Sequence, residues 1–169
     1  MFEHWGEFYL LVGSAAAVLI GLIFVVVTLM QDKPRSTMLS GSRYYMGPVV
    51  LNVSFVLVLS AVALAAEITT AAMGLICAAI AVWGFARSVM SFNGIRTLEW
   101  EEGPPHWTDA WFYGAVPAAI YVLLAAVAWA FWTEQDWAVT GVAVVINAIL
   151  LISIRNEWDL VTWLAPKPD

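Results

Sequence analysis

Phe8-Tyr-Leu-Leu-Val-Gly-Ser-Ala-Ala-Ala-Val-Leu-Ile-Gly-Leu-Ile-Phe-Val-Val-Val-Thr-Leu-Met30 contains no charged side chain. A helix rises 1.5 Å per residue, so about 20 apolar residues cross the ~30 Å hydrocarbon core of a bilayer. This stretch is long enough. Four further runs have the same character, at 46–66, 69–90, 110–132 and 137–155. Together they take up most of the 169 residues, and 62% of the chain is hydrophobic against 12% charged. Soluble domains are about 45–50% apolar and about 25% charged. The chain therefore reads as a single transmembrane domain over 1–169, an all-α bundle of five membrane-spanning helices.

The loops give an orientation. Lys33, Arg35, Arg43, Arg87, Arg96, Arg155 and Lys167 lie in or beside 31–46, 87–109 and 155–169. The opposite flanks hold Glu3, Glu7, Glu67, Glu134 and Asp136 and no base. Lys and Arg remain on the cytoplasmic side, so the expected topology is N-terminus out and C-terminus in. The first run lacks a basic leader and exceeds the length of a signal-peptide core, so it reads as a retained anchor. Cys77 is the sole cysteine, which rules out a disulfide within the chain. Nine of ten tryptophans fall at span ends, with Trp83 inside a span, the pattern of an interfacial aromatic belt.

Small residues mark packing faces. Gly13, Ala17 and Gly21 recur every fourth residue in the first span, and Ala71, Gly74, Ala78 and Ala81 line the third. In lipid such stripes let helix backbones approach closely, within one chain or between copies. Gly47-Pro48 opens the second span, where proline is tolerated in the first turn, and Gly114 and Pro117 are expected to weaken or kink the fourth. Thr69 or Thr70 suits the cap of the third, Thr108 or Asp109 that of the fourth, and Thr133-Glu-Gln-Asp136 has the spacing of a capping box into the fifth.

Polar residues inside spans are costly in lipid and face the bundle or a water-filled path. The candidates are Asn52, Arg87, Asn147, Arg155, Glu157 and Asp159. Asn52 stands about 7 Å inside its helix and is placed to bond a neighbour. Asn147 is a midplane amide in need of a partner. At 100° per residue Asn147, Leu151, Ile154, Arg155 and Trp158 share one broad face of the fifth helix. Arg155 and Asp159 can pair one turn apart, and Arg87 is either a snorkelling anchor or a partner for Glu157 or Asp159.

Enzyme constellations are missing: there is no P-loop, dinucleotide-binding glycine pattern, CxxC or HxxxH. His4 and His106 fall on opposite sides of the membrane. Glu99, Glu101, Glu102, His106 and Asp109 form the one set a hard divalent cation could use, but the reading adopted is a solvated acidic loop over the headgroups. No metal, cofactor or nucleic acid is expected. The partners expected are the lipid bilayer and a homo-oligomer or another membrane protein.

His4-Trp-Gly-Glu-Phe-Tyr9, Gly13-Ser-Ala-Ala-Ala-Val-Leu-Ile-Gly21-Leu-Ile-Phe-Val, the Trp107-Thr-Asp-Ala-Trp111 entry to the fourth span, and Asn156-Glu-Trp-Asp159-Leu-Val-Thr-Trp163 together resemble an uncharacterised family of small five-pass bacterial integral membrane proteins. Where that family often has His or Asn followed by Asn-Ala-Trp-Asp, this chain has Arg155-Asn-Glu-Trp-Asp159. The resemblance implies a bacterial inner-membrane location and no particular activity. The expected function is a non-enzymatic structural or accessory component packing into an assembly. The alternative is a small oligomeric ion channel or transporter lined by polar residues of helices two, three and five.

Overall fold

The computed structural model describes residues 2–29, 39, 41–65, 67–98 and 105–164. After a short 3-10 turn at Glu3–Trp5, five long helices follow: α1 Gly6–Leu29, α2 Ser42–Ala63, α3 Thr70–Arg96, α4 Trp107–Trp132 and α5 Ala138–Leu164. Each is long and apolar enough to cross a membrane. With no water in the hydrocarbon, every backbone polar group must find a partner within the protein, and a helix supplies one locally.

The spans differ from the sequence reading chiefly at one end. α3 continues six residues past the expected end at Met90 to Arg96, and α5 nine residues past Arg155 to Leu164. The apolar runs end at or soon after the first charge. The helix does not, because its polar last turns find partners in the bundle or at the membrane surface. The α-helical turns close as the local chemistry demands. Thr69 caps α3, its Oγ1 accepting the Ala72 amide at 3.2 Å. Two expected caps are replaced. His106, rather than Thr108 or Asp109, caps α4, accepting the Thr108 amide on its ring. Thr133 bonds back to the Trp129 carbonyl at 3.1 Å instead of forming a box with Asp136. The α4–α5 turn closes through Gln135 N–H to Ala130 O, 2.9 Å, and Glu134 N–H to Phe131 O, 3.3 Å, with Glu134 at φ 52°. That is a Schellman closure with a glutamate in the left-handed position usually given to glycine.

α2, α4 and α5 form the inside of the bundle. Half of the apolar window of each is buried, against 28% for α1 and 33% for α3. α1 packs along α2, α3 along α4, and α5 packs against α2, α4 and α1. The α3/α4 seam is the tightest. A Cβ on Gly84 would stand 2.2 Å from Tyr121 Cε1, and one on Gly114 would stand 2.5 Å from Phe92 Cβ and 2.7 Å from its Cα.

α2 and α4 open alike. α2 begins with a π-helical turn, Ser42–Met46, and α4 has one directly after its first α-helical turn, Trp111–Ala115; Pro48 and Pro117 follow two residues later. Asn52 and Tyr121 each stand four residues past their proline, on helices running in the same direction. They meet in the core: the Tyr121 hydroxyl donates to Asn52 Oδ1 at 2.6 Å. Both side chains are buried. Changing Asn52→Leu leaves that hydroxyl without an acceptor and is expected to cost about 1–2 kcal/mol. Adding Tyr121→Phe should recover most of it, with a coupling of about 0.6–1.7 kcal/mol. SDS-induced unfolding of the four proteins in mixed micelles measures this. Independent, additive losses would reject the pair as a unit.

Candidate functional site at the basic end

The two prolines set the site up. In α4 the Val116 amide bonds five residues back, to Trp111 O. The next possible donor to Phe112 O is Pro117, which has no N–H. An unpaired carbonyl inside the bundle is costly. Asn156 of α5 supplies the missing donor, its Nδ2 reaching Phe112 O at 3.0 Å. In α2 the Gly47 amide likewise bonds five residues back, to Ser42 O, and beside Pro48 the Ser91 hydroxyl of α3 donates to Tyr44 O.

Asn156 is the hub. Its amide nitrogen holds Phe112, its amide oxygen accepts from Arg155 Nη1 at 3.1 Å, and its main-chain carbonyl accepts from the Tyr113 hydroxyl at 2.8 Å. It is 1% exposed. Tyr113 Oη also lies 3.1 Å from Asp159 Oδ2. One hydroxyl proton is shared between these two acceptors. Tyr45 of α2 donates to Asp109 Oδ2 at 3.2 Å, and its ring meets that of Tyr113 at 4.8 Å between centroids. The Arg155 guanidinium lies over the Phe112 ring, 3.8 Å from its centroid, which holds a cation against an aromatic face. Asp109, in the first turn of α4, is also well placed for the helix dipole. The result is a polar and aromatic clamp across α2, α4 and α5.

The sequence candidates distribute unevenly around it. Asn52 bonds across to α4. Asn147 needs no partner on another helix: it is half-buried and bonds its own turn, Nδ2 to Ala143 O at 3.2 Å. The face of α5 expected to point inward turns outward, with Leu151, Ile154 and Trp158 exposed. The opposite face, with Ile149, Ser153, Asn156, Glu157 and Leu160, is buried. Arg155 does not pair with Asp159, because each has a better-placed partner on or beside α4. Arg87 is half-buried beside Gly47 of α2 and, among the described residues, is paired with neither Glu157 nor Asp159. Glu157 is 5% exposed and its Oε1 has no hydrogen-bond partner.

Of the packing residues, Gly13 is buried against Ser60 of α2, where a Cβ would come within 3.1 Å. Gly74 packs under Phe131 and Trp132 of α4, and Ala78 is half-buried on the same helix. Ala17 and Gly21 point away from the bundle, and a Cβ on Gly21 would meet nothing within 4 Å. Glu99, Glu101 and Glu102 lie outside the described residues. His106 is occupied with Thr108, 2.7 Å from its Oγ1, and Asp109 with Tyr45. Among the described residues no three His, Cys, Asp or Glu side chains gather as a metal site.

Asn156, Tyr45, Tyr113, Ser91 and Tyr121 are the residues that sequence reasoning passed over. A proline beyond the first turn of a helix leaves a carbonyl that another side chain must satisfy, and both Pro48 and Pro117 lie there once α2 starts at Ser42 and α4 at Trp107. The chain matches no family model, no curated protein and no solved structure. Fold and site define it as an all-helical, multi-pass membrane-type bundle closed at one end by an interhelical hydrogen-bonded clamp.

Proposed function

We propose that the protein is a non-enzymatic integral protein of a bacterial inner membrane, N-terminus outside and C-terminus in the cytoplasm, acting as a structural or accessory component of a homo-oligomer or larger membrane complex. The observation that carries this reading is how the clamp uses its polar groups. Asn52, Asn156, Asp109 and Asp159 are engaged in hydrogen bonds that hold helices together, and Asn147 bonds its own helix. Side chains committed in this way favour a structural role for these residues over a polar path for ions. The charge asymmetry of the loops supports the orientation, and the resemblance noted above supports the membrane. An outward face with Ser14, Ala17 and Gly21 exposed on α1 supports an assembly, since small residues allow close helix contact in lipid.

Native mass spectrometry and cross-linking of the full chain in mild detergent test it. The expected result is a discrete species larger than one chain, or a stoichiometric co-purifying membrane protein. A strictly monomeric particle without a partner overturns the proposal.

A further inference from the structure

We propose that Arg43 and Arg87 hold the phosphate of an anionic phospholipid in the seam between α2 and α3. Arg87 stands nine residues before the end of α3, about 14 Å along the helix. Its guanidinium reaches back to α2, where Nη2 would stand 3.4 Å from a Cβ on Gly47. Gly47 leaves room for it. Arg43 lies four residues before Gly47, in the π-helical turn that opens α2. Its guanidinium is 5.4 Å from the centroid of the Tyr44 ring. That ring in turn is packed on Gly94 of α3. Both guanidiniums thus border one seam, the inner one half-buried and the outer one exposed.

Among the described residues neither is ion-paired with an acid. α2 and α3 contain no Asp or Glu over their whole lengths, Ser42–Ala63 and Thr70–Arg96. The described acids of this end, Asp109, Glu157 and Asp159, belong to α4 and α5, and the two aspartates are taken by Tyr45 and Tyr113. The basic end is therefore divided, with a cationic wall on α2 and α3 and a mixed, mostly acidic one on α4 and α5. A cation held below the surface of a bilayer needs a partner. At this depth the phosphates within reach are those of lipid headgroups. A guanidinium fork matches a phosphate with two parallel hydrogen bonds, and basic pockets between membrane helices recognise anionic headgroups.

The test is native mass spectrometry of the full chain after exchange into equal amounts of phosphatidylglycerol and phosphatidylcholine. Wild type is expected to retain phosphatidylglycerol preferentially. Arg43→Gln and Arg87→Gln should each lower that preference about fivefold. Arg96→Gln is the control: Arg96 is equally exposed but stacks over Phe92 on the α4 side of α3, so it should change the preference less than about twofold. If Arg87→Gln does not fold, Arg87→Lys keeps the charge without the fork and should show an intermediate preference. An undiminished preference in Arg43→Gln overturns the proposal. So does an equal loss in Arg96→Gln, which would indicate general surface attraction. Inorganic phosphate added alone should not displace the lipid; quantitative displacement would identify a free-anion site instead.

Discussion

Gly114→Ala is expected to pry α3 from α4 and cost about 2 kcal/mol. Overpacking of a filled interior costs about 1–3 kcal/mol, and the upper end applies where the obstacle cannot turn away. Here it cannot. The added methyl carbon would stand 2.5 Å from Phe92 Cβ and 2.7 Å from Phe92 Cα, which are main-chain or next to it. Alanine returns about 1 kcal/mol through helix propensity, which leaves the net loss stated. Gly84→Ala should be nearly as damaging by a different route. It drives against the Tyr121 ring, which is tethered through its hydroxyl to Asn52 at 2.6 Å. Gly21→Ala is the contrast. Its new carbon meets nothing within 4 Å, so only the propensity gain remains. Unfolding by SDS in mixed micelles should therefore rank Gly21→Ala above wild type and both seam variants below it. A Gly114→Ala protein as resistant as wild type would mean that α3 and α4 are not in this contact.

Asn156→Leu should cost about 2–3 kcal/mol. The leucine removes the donor to Phe112 O and the acceptor for Arg155 together. A buried carbonyl left without a partner costs about 1–3 kcal/mol by itself. The sharper expectation concerns Pro117. That carbonyl depends on Asn156 because residue 117 has no N–H. Pro117→Ala supplies one in π-helical register. In the Asn156→Leu protein it should recover about half of the loss, whereas in wild type it should have little effect. A coupling of about 1 kcal/mol or more between two residues on different helices is the signature. Additive effects would show that the proline and the asparagine are not linked through Phe112.

The assembly reading and the lipid reading rest on different surfaces. The first draws on the outward face of α1 and the second on the α2/α3 seam. A monomeric protein that still selects phosphatidylglycerol through Arg43 and Arg87 would separate them.

Much of the architecture could be read before the coordinates. Apolar length alone finds five helices, because lipid makes the backbone partner itself and a span needs a fixed number of residues. Asn52 was legible as an interhelical bond, since an amide inside a span has few other uses. Its partner was not. Tyr121 looks like any aromatic in an apolar run, and only the parallel course of α2 and α4 brings position four after one proline to position four after the other. Asn147 shows the opposite failure. Its bond to Ala143 O is local and satisfies it, so its location near the midplane carries no tertiary information.

The end of α5 divides along the same line. Composition determines that Arg155-Asn-Glu-Trp-Asp159 sits at a membrane boundary, because charge is excluded from hydrocarbon. It cannot determine which of those residues faces inward. A heavily apolar helix has no polar face to orient it, and its rotation is decided by close packing against neighbours. That packing turned Leu151, Ile154 and Trp158 out and Asn156 and Glu157 in. The Phe112 carbonyl, orphaned by a proline five residues on, is what gave Asn156, 44 residues away in sequence, its place.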